Sequence, residues 1–224
     1  MAKYPQINDK LLLFGKFGAN HVASINWGPG INNTERHHFL ILGYQKALEI
    51  LLDKSLNITN GNYFEMDLLV SPIIFSLRHF IELSLKDTIR NFNIALKINS
   101  PDEIGFKQTH DLNELFNDLK KILSTYKSRF SMDMSEEELM QNLLATENIL
   151  KELNNYDQYS FSFRYPFKRE SKSSGKIQES LPPMNIDLKN LKEVSTRLIA
   201  ILDYLSTEAD KFETKVWLKE QGVE

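Results

Sequence analysis

The chain has 224 residues and is long enough to bury a substantial core within one large domain. Its 27 basic and 30 acidic residues leave a formal net charge of -3, so no overall positive field attracts nucleic acid or an anionic membrane, and any polyanion site has to be local. It contains no cysteine, which excludes disulfides, thiolate nucleophiles and cysteine-ligated zinc, and which fits the reducing environment of the cytoplasm.

Residues 1–33 are predicted to form an N-terminal arm. Two glycine-bearing clusters, at 15–18 and 27–30, break helices and favour turns. The apolar run Leu11–Phe14 is too short for the core of a signal peptide, and no later stretch is interpreted as membrane-spanning. We therefore expect a cytoplasmic protein with no membrane partner.

From residue 34 onward the apolar residues recur at helical spacing, which predicts an all-α protein. The predicted helices cover residues 34–56, 71–97, 111–130, 135–153 and 187–212. Because short connections favour antiparallel neighbours, these helices are expected to form one bundle over residues 34–213, with 214–224 as a C-terminal tail.

The second of these helices has two candidate beginnings. Ser71 can cap free backbone amides, and Pro72 at the first helical position has no amide to leave unpaired, so a start at Ser71 is favoured. Residues 63–70 also have a helical pattern and are expected to enter this helix through a kink or a break.

Residues 156–184 form an insert of different character. Five aromatic residues alternate with other residues, which predicts an extended strand with all the rings on one side: Tyr159, Phe161, Phe163, Tyr165 and Phe167. Several basic residues follow. This segment is either a strip that stacks bases and binds phosphates, or an arm that lays its rings over a seam of the bundle. Under the first interpretation the candidate RNA- or ligand-binding residues are Arg164, Tyr165, Lys168 and Arg169.

Clustered polar residues on the second helix are the main candidate chemistry. A helical wheel places Arg78 and Glu82 at the edge of the apolar face, and it turns His79 and Lys86 toward solvent. Arg78 and Glu82 have i, i+4 spacing, so we expect them to pair, and we expect the pair to lie within reach of Arg164 or His110.

This cluster has two interpretations. It is either a polar clasp that fixes the register of the helix, or a site in which His110 moves a proton and Arg78 stabilises charge developing on a phosphodiester. At the start of the third helix, His110 can also be a residue of the capping region. The candidate catalytic residues are Arg78, His79, Glu82 and His110.

No metal or cofactor site is predicted. No two histidines have i, i+4 spacing with a carboxylate on the same face, and there is no HExxH motif. The chain also has no glycine-rich phosphate-binding loop and no nucleophile elbow.

Three stretches carry a resemblance to a known family. SPIIFSLRHFIELSLK at residues 71–86, HDL at 110–112 and FRYP at 163–166 resemble bacterial proteins of the HEPN-like helical class, over roughly residues 36–205. The resemblance implies a four- to five-helix bundle that often forms a homodimer. Better-known members are RNases of toxin, abortive-infection and CRISPR systems, which use an Arg followed after four to six residues by a His. No arginine of this chain has a His at that spacing.

Two functions of different classes remain open. One is a HEPN-like protein of bacterial defence or toxin–antitoxin type that interacts with RNA or nucleotides and is a candidate metal-independent ribonuclease with a non-standard site. The other is a non-catalytic binding or regulatory module of the same fold, with an antitoxin, immunity or scaffold role.

Overall fold

A computed structural model describes residues 33–58, 63–96, 107–127, 132–168 and 178–222. Within these residues all regular secondary structure is helical, apart from one isolated β-bridge. The helices are α1 (Asn33–Leu56), α2 (Tyr63–Ala95), α3 (Leu112–Lys127), α4 (Glu136–Tyr156) and α5 (Leu188–Glu220). The all-α prediction is confirmed, with five helices in the predicted order. Almost all of the predicted N-terminal arm lies outside the described residues.

Contacts between α1 and α2 show that they run antiparallel. Lys54 Nζ, near the end of α1, lies 3.1 Å from Glu65 Oε1 near the start of α2. At the other end, His37 Nε2 lies 3.1 Å from the carbonyl oxygen of Leu83. A short connection between two helices favours this antiparallel arrangement.

Helix α2 is the centre of the bundle, because it packs against α1, α3 and α5. It runs parallel to α3, since His110 lies beside Glu82 before α3 begins, and the rings of Phe92 and Tyr126 meet 5.1 Å apart near the ends of both helices. Helix α4 covers α3. Side chains from all five helices form one apolar core, which includes Leu48, Phe80, Leu85, Phe116, Leu119, Leu150 and Leu202.

The prediction that a helix starts at Ser71 is wrong, because α2 is one continuous helix from Tyr63 and contains Pro72. A proline inside a helix lacks the amide that would bond the carbonyl four residues earlier, which here belongs to Leu68. Leu68 and Pro72 are both exposed, so water can bond that carbonyl. The helical pattern of residues 63–70 was therefore the better guide.

Helices α3, α4 and α5 begin at side-chain caps. Asp111 Oδ1 accepts from the amides of Asn113 and Glu114 at the start of α3. Asp187 Oδ1 accepts from the amides of Lys189 and Asn190 at the start of α5. Ser135 caps α4 by accepting from the amide of Glu138 at 3.2 Å. Asp111, and not His110, is therefore the capping residue of α3.

The predicted end of the last helix at residue 212 is wrong, because α5 continues to Glu220. Phe212 is buried, and Val216, four residues further along, still packs against the core. The apolar periodicity therefore extends one turn beyond the predicted end at residue 212.

The predicted aromatic strand is also wrong. The amides of Arg164 and Tyr165 both bond the carbonyl of Phe161, which makes a turn, and Ser160 has a left-handed φ of 57°. The five rings therefore do not share one side: Phe163 is buried, whereas Tyr159 is 68% exposed and Tyr165 is 50% exposed. The segment therefore forms neither of the two predicted arrangements, a flat strip of rings or an arm with all its rings packed on the bundle.

Candidate functional site

Arg78 is fully buried in the middle of α2 and is surrounded by acceptors. Its Nε donates to the carbonyl of Asp157 at 2.9 Å, and its Nη1 donates to Glu82 Oε2 at 3.1 Å. Its Nη2 donates to the carbonyls of His110, at 2.6 Å, and Gln158, at 3.2 Å. Burial lowers the pKa of Arg78, and the charges of Asp157 and Glu82 oppose this effect. The predicted pairing of Arg78 with Glu82 is confirmed, and Arg78 is more deeply buried than the helical wheel indicated.

Asp157 is the central residue that sequence reasoning missed. It follows the last residue of α4, and its carboxylate is buried with Oδ2 3.4 Å from Arg78 Nε. Its Oδ1 accepts from the amides of Phe161 and Ser162, so it also fixes the turn that follows. The only sequence signal was an acidic residue directly after a helix, which is too common to point to a partner 79 residues away.

Glu82 joins the buried arginine to an exposed histidine. Its Oε2 accepts from Arg78, and its Oε1 lies 2.8 Å from His110 Nδ1 and 2.9 Å from Lys86 Nζ. Burial raises the pKa of Glu82, but the hydrogen bonds and charges of Lys86 and His110 outweigh burial and lower it. The carboxylate is therefore ionised. The prediction that Glu82 lies within reach of His110 is confirmed, and Lys86 does not point to solvent, because its side chain is only 10% exposed.

A second set of contacts holds His110 in place. Asp111 Oδ1 accepts from Asn154 Nδ2 at 3.2 Å, and Asp111 Oδ2 accepts from Gln158 Nε2 at 3.0 Å. The start of α3 is thereby tied to the end of α4. His110 itself remains 60% exposed, so Glu82 orients one edge of its ring while the ring stays open to solvent.

His79 does not join this cluster. Its ring packs against Tyr44 of α1, with centroids 4.3 Å apart, and stacks on Phe75, with centroids 5.7 Å apart. Burial lowers the pKa of His79, and the charge of Glu82 opposes this. The expectation that His79 faces solvent is wrong, because the antiparallel α1 covers that side of α2.

The predicted RNA- or ligand-binding residues lie in the turn after α4. Arg164 is exposed, and its guanidinium lies 5.7 Å from the ring centroids of both Phe75 and Tyr165. Lys168 is exposed, and its amide bonds the carbonyl of Gln178. Arg169 lies outside the described residues. Arg164 therefore lies beside the Phe75–His79 stack. The alternative in which Arg164 reaches the Arg78–Glu82 pair is wrong, because it does not contact Glu82.

Neither metal ligation nor membrane insertion is supported by a clear feature. Among the residues that the structure describes, no group of three or more histidine, aspartate or glutamate side chains is placed to hold a metal ion. Helix α2 is long and apolar enough to cross a membrane, contrary to the sequence interpretation. More than half of that stretch is buried inside the protein, as in the core helix of a soluble protein, so this observation is weak evidence for a membrane span.

Comparison with known proteins adds no relative. No family model matches the chain, and no curated protein or solved structure is significantly similar to it. The candidate site therefore has to be interpreted from its own geometry.

Proposed function

We propose that this chain is a HEPN-like protein of bacterial defence or toxin–antitoxin type that interacts with RNA, and that His110 acts as its proton carrier. The observation that carries the proposal is the contact between His110 Nδ1 and the buried carboxylate of Glu82 at 2.8 Å. An ionised carboxylate behind an exposed imidazole favours the tautomer that keeps its proton on Nδ1, so Nε2 is left as a base toward solvent.

Such a base fits metal-independent cleavage of RNA. His110 Nε2 would take the proton of a 2′-hydroxyl, and the 2′-oxygen would attack the adjacent phosphorus. The bond from phosphorus to the 5′-oxygen breaks, which yields a 2′,3′-cyclic phosphate and, after protonation of the leaving oxygen, a 5′-hydroxyl. Glu82 would position His110 and stabilise the imidazolium that forms, as the buried carboxylate does in other acid–base dyads.

The role of anion holder, first predicted for Arg78, fits Lys86 better. Arg78 is fully buried, and its donors already bind four acceptors of the protein, so no phosphate can reach it. Lys86 Nζ shares Glu82 Oε1 with His110 and therefore lies next to the proposed base. The side chain of Lys86 is 10% exposed, whereas that of Arg78 is not exposed at all. An ammonium has three N–H donors, so it can bind Glu82 and still donate to a phosphate oxygen.

The burial of Arg78 favours a second candidate, the non-catalytic binding or regulatory module. If Arg78 only joins α2 to the segments around His110 and Asp157, the cluster has a structural role and binds no substrate. This candidate predicts that neither the wild type nor a His110 variant cleaves RNA.

An RNase assay distinguishes the two candidates. Purified protein is incubated with total RNA and with tRNA, with and without a chelator, and the product ends are identified by mass spectrometry. We expect chelator-resistant cleavage, reduced about 100-fold or more by His110→Ala. Lys86→Met should also reduce it. The matched control is His38→Ala, which removes an exposed histidine of α1 and should leave cleavage unchanged.

The outcomes are separable because His110 is exposed and its replacement should leave the fold intact. Cleavage that persists in His110→Ala would rule out its role as the base. A wild-type protein that cleaves neither RNA would favour the non-catalytic module. Circular dichroism of each variant verifies that loss of activity is not loss of folding.

Self-association belongs to the same proposal. The loop-side ends of α1 and α2 lie together and expose large apolar side chains, namely Ile50, Tyr63, Phe64 and Leu68. Apolar surface of this kind is typical of protein interfaces, and two-fold dimers are the commonest assembly. Light scattering at micromolar concentration should give the mass of a dimer, and Phe64→Ser should shift it toward the monomer. A monomeric wild-type mass would contradict this prediction.

A further inference from the structure

A cleft of about 450 Å³ lies beside the turn that follows α4. Its wall is formed by residues 162–167, by residues 179–181 and by Ser71 of α2. The volume is within the range of cavities that hold small ligands. The residues of the proposed acid–base dyad do not line it, so it is a distinct site.

Arg164 lines this cleft, and its guanidinium is oriented by its neighbours. Its plane is held near the rings of Phe75 and Tyr165, and its Nε donates to the carbonyl of Ser160. Among the described residues, no side chain or carbonyl bonds its two terminal nitrogens. The edge of a guanidinium with two parallel N–H donors matches two oxygens of a phosphate.

Phe167 lines the same cleft. The residue is 51% exposed, and its ring has no ring partner within the part of the chain that the structure describes. The backbone on both sides is fixed, because the amide of Lys168 bonds the carbonyl of Gln178 at 2.8 Å and the amide of Ser180 bonds the carbonyl of Pro166 at 2.9 Å. A ring held in this way can stack on a planar ligand at little cost in conformational entropy.

The charges at the cleft are arranged in a way that orients a ligand. Arg164, in residues 162–167, supplies positive charge on one side of the cleft. Glu179, which forms a β-bridge with Phe167, supplies negative charge on the other side. A phosphate is attracted to Arg164 and repelled by Glu179. The carboxylate of Glu179 can instead accept a hydrogen bond from a hydroxyl or an amino group.

We propose that this cleft binds one nucleotide unit of single-stranded RNA, with the phosphate on Arg164 and the base stacked on Phe167. Single-stranded RNA fits because its unstacked bases are free to enter a cleft, whereas the bases of a duplex are not. This inference rests on the proposed interaction with RNA, and it names a binding surface separate from the residues proposed for catalysis.

Binding is measured by fluorescence anisotropy with a labelled single-stranded RNA of mixed sequence, at several salt concentrations. Phe167→Ala should weaken binding about tenfold, the size of one base–aromatic stack, whereas Phe167→Tyr should retain it. Arg164→Ala should weaken binding and reduce its salt dependence, because one phosphate contact is lost. Arg164→Lys should restore only part of the affinity, since an ammonium lacks the planar pair of donors.

Matched controls remove similar groups elsewhere. Tyr159→Ala deletes an exposed ring outside the cleft, and Arg197→Ala deletes an exposed arginine of α5. Both should bind as the wild type does. If the controls weaken binding as much as the cleft variants, or if the cleft variants bind RNA normally, the cleft is not the site.

The design separates this inference from the proposed catalysis. Binding that depends on Phe167 and Arg164, without any cleavage, would support the cleft and contradict the role of His110. Cleavage that depends on His110, with normal affinity and KM in both cleft variants, would contradict the cleft alone. A wild-type protein that binds no RNA at any salt concentration overturns the inference. Retained binding by His110→Ala would support separate binding and catalytic residues.

Discussion

Two polar clusters lie on opposite sides of α2, and they differ in how well their buried groups are partnered. The first, which we call the Arg78 clasp, comprises Arg78, Glu82, His110 and Asp157. Its arginine makes four hydrogen bonds, and its two carboxylates face that arginine. Asp157 Oδ2 has no hydrogen-bond partner, but it lies 3.4 Å from Arg78 Nε, so its charge is paired. Removing one member of such a cluster leaves the others buried without a partner, which is strongly unfavourable.

The second cluster, which we call the polar layer, comprises Asp87, Thr88 and Asn91 of α2 with Asp210 of α5. Asp87 is nine residues after Arg78, so its side chain points to the opposite side of the helix, about 180° around the axis. Asn91 Nδ2 donates to Asp210 Oδ1 at 3.2 Å. Asp87 Oδ1 and Thr88 Oγ1 are buried and have no hydrogen-bond partner.

The pKa values of the buried carboxylates also differ between the two clusters. In the Arg78 clasp the pKa of Glu82 is lowered despite its burial. In the polar layer, burial raises the pKa of Asp87 to about 6, and the charges of His38 and Arg90 oppose this only in part. Asp210 is exposed at the edge of the layer, and partial desolvation and the charge of Asp87 also raise its pKa, against His38 and Asn91. Glu82 and Asp87 are thus buried to a similar depth on one helix, yet their pKa values shift in opposite directions. The cationic partners of Glu82 outweigh its burial, whereas the charges near Asp87 do not.

The largest expected effect follows from Arg78→Ala. It leaves Glu82 and Asp157 buried without their cation, so the free energy of unfolding should fall by about 3–5 kcal/mol. Urea unfolding followed by circular dichroism measures the change. Arg78→Lys should also destabilise the protein, because one ammonium cannot reach all four acceptors.

The control for this prediction is Arg197→Ala, which breaks an exposed i, i+4 pair with Glu193. We expect no measurable change, since exposed ion pairs contribute little. An Arg78→Ala protein that unfolds at the wild-type midpoint would show that the clasp does not stabilise the fold.

Asp87→Asn should stabilise the protein in a pH-dependent way. The pKa of Asp87 is about 6 in the folded protein, against an ordinary value of 3.8 for an aspartate, so the folded state binds the proton more tightly than the unfolded chain. Its contribution to stability is therefore present below about pH 4 and is lost as pH rises to about 6. At pH 7.5 the variant should be more stable than the wild type by about 2–3 kcal/mol, and at pH 4 the two should be nearly equal.

The pH series of unfolding midpoints measures this difference. Asp67→Asn is the matched control, because it removes an exposed carboxylate from the same helix. An Asp87→Asn protein whose stability runs parallel to that of the wild type between pH 4 and 7.5 would contradict the raised pKa.

The smallest expected effect compares two buried threonines. Thr88 Oγ1 has no partner, so Thr88→Val should be neutral or should stabilise the protein by up to about 1 kcal/mol. Thr146 Oγ1 donates to the carbonyl of Asn142 at 2.8 Å, so Thr146→Val should destabilise it by about 1 kcal/mol. Thermal unfolding of both variants measures the difference. Two changes of the same sign would indicate that the two hydroxyls are equally well bonded.

The sequence predicted the parts of this site that depend on helical spacing. Arg78 and Glu82 are four residues apart, and such a pair meets on any α-helix. His110 directly precedes the third helix, which limited where it could lie. Asp157 and the carbonyl of Gln158 could not be predicted, because an acceptor some 80 residues distant has no periodic relation to Arg78.

The aromatic segment shows the opposite case. An alternation of period two is ordinarily evidence for a strand, but a strand needs a neighbour to bond its backbone. Here the carbonyl of Phe161 and the side chain of Asp157 bond the local amides instead, and a turn results. Local bonds to a buried aspartate outweighed the pattern.

The sequence by itself determined the all-α class, the order of the helices and the pairing of Arg78 with Glu82, because each depends on residues within one or two helical turns. Tertiary structure alone decided that α2 continues through Pro72, that α1 covers His79, and that Asp87 is buried without a hydrogen-bond partner for Oδ1. These features depend on which helix packs against each face of α2. Helical periodicity specifies which face is apolar, but it does not specify the neighbour that covers it.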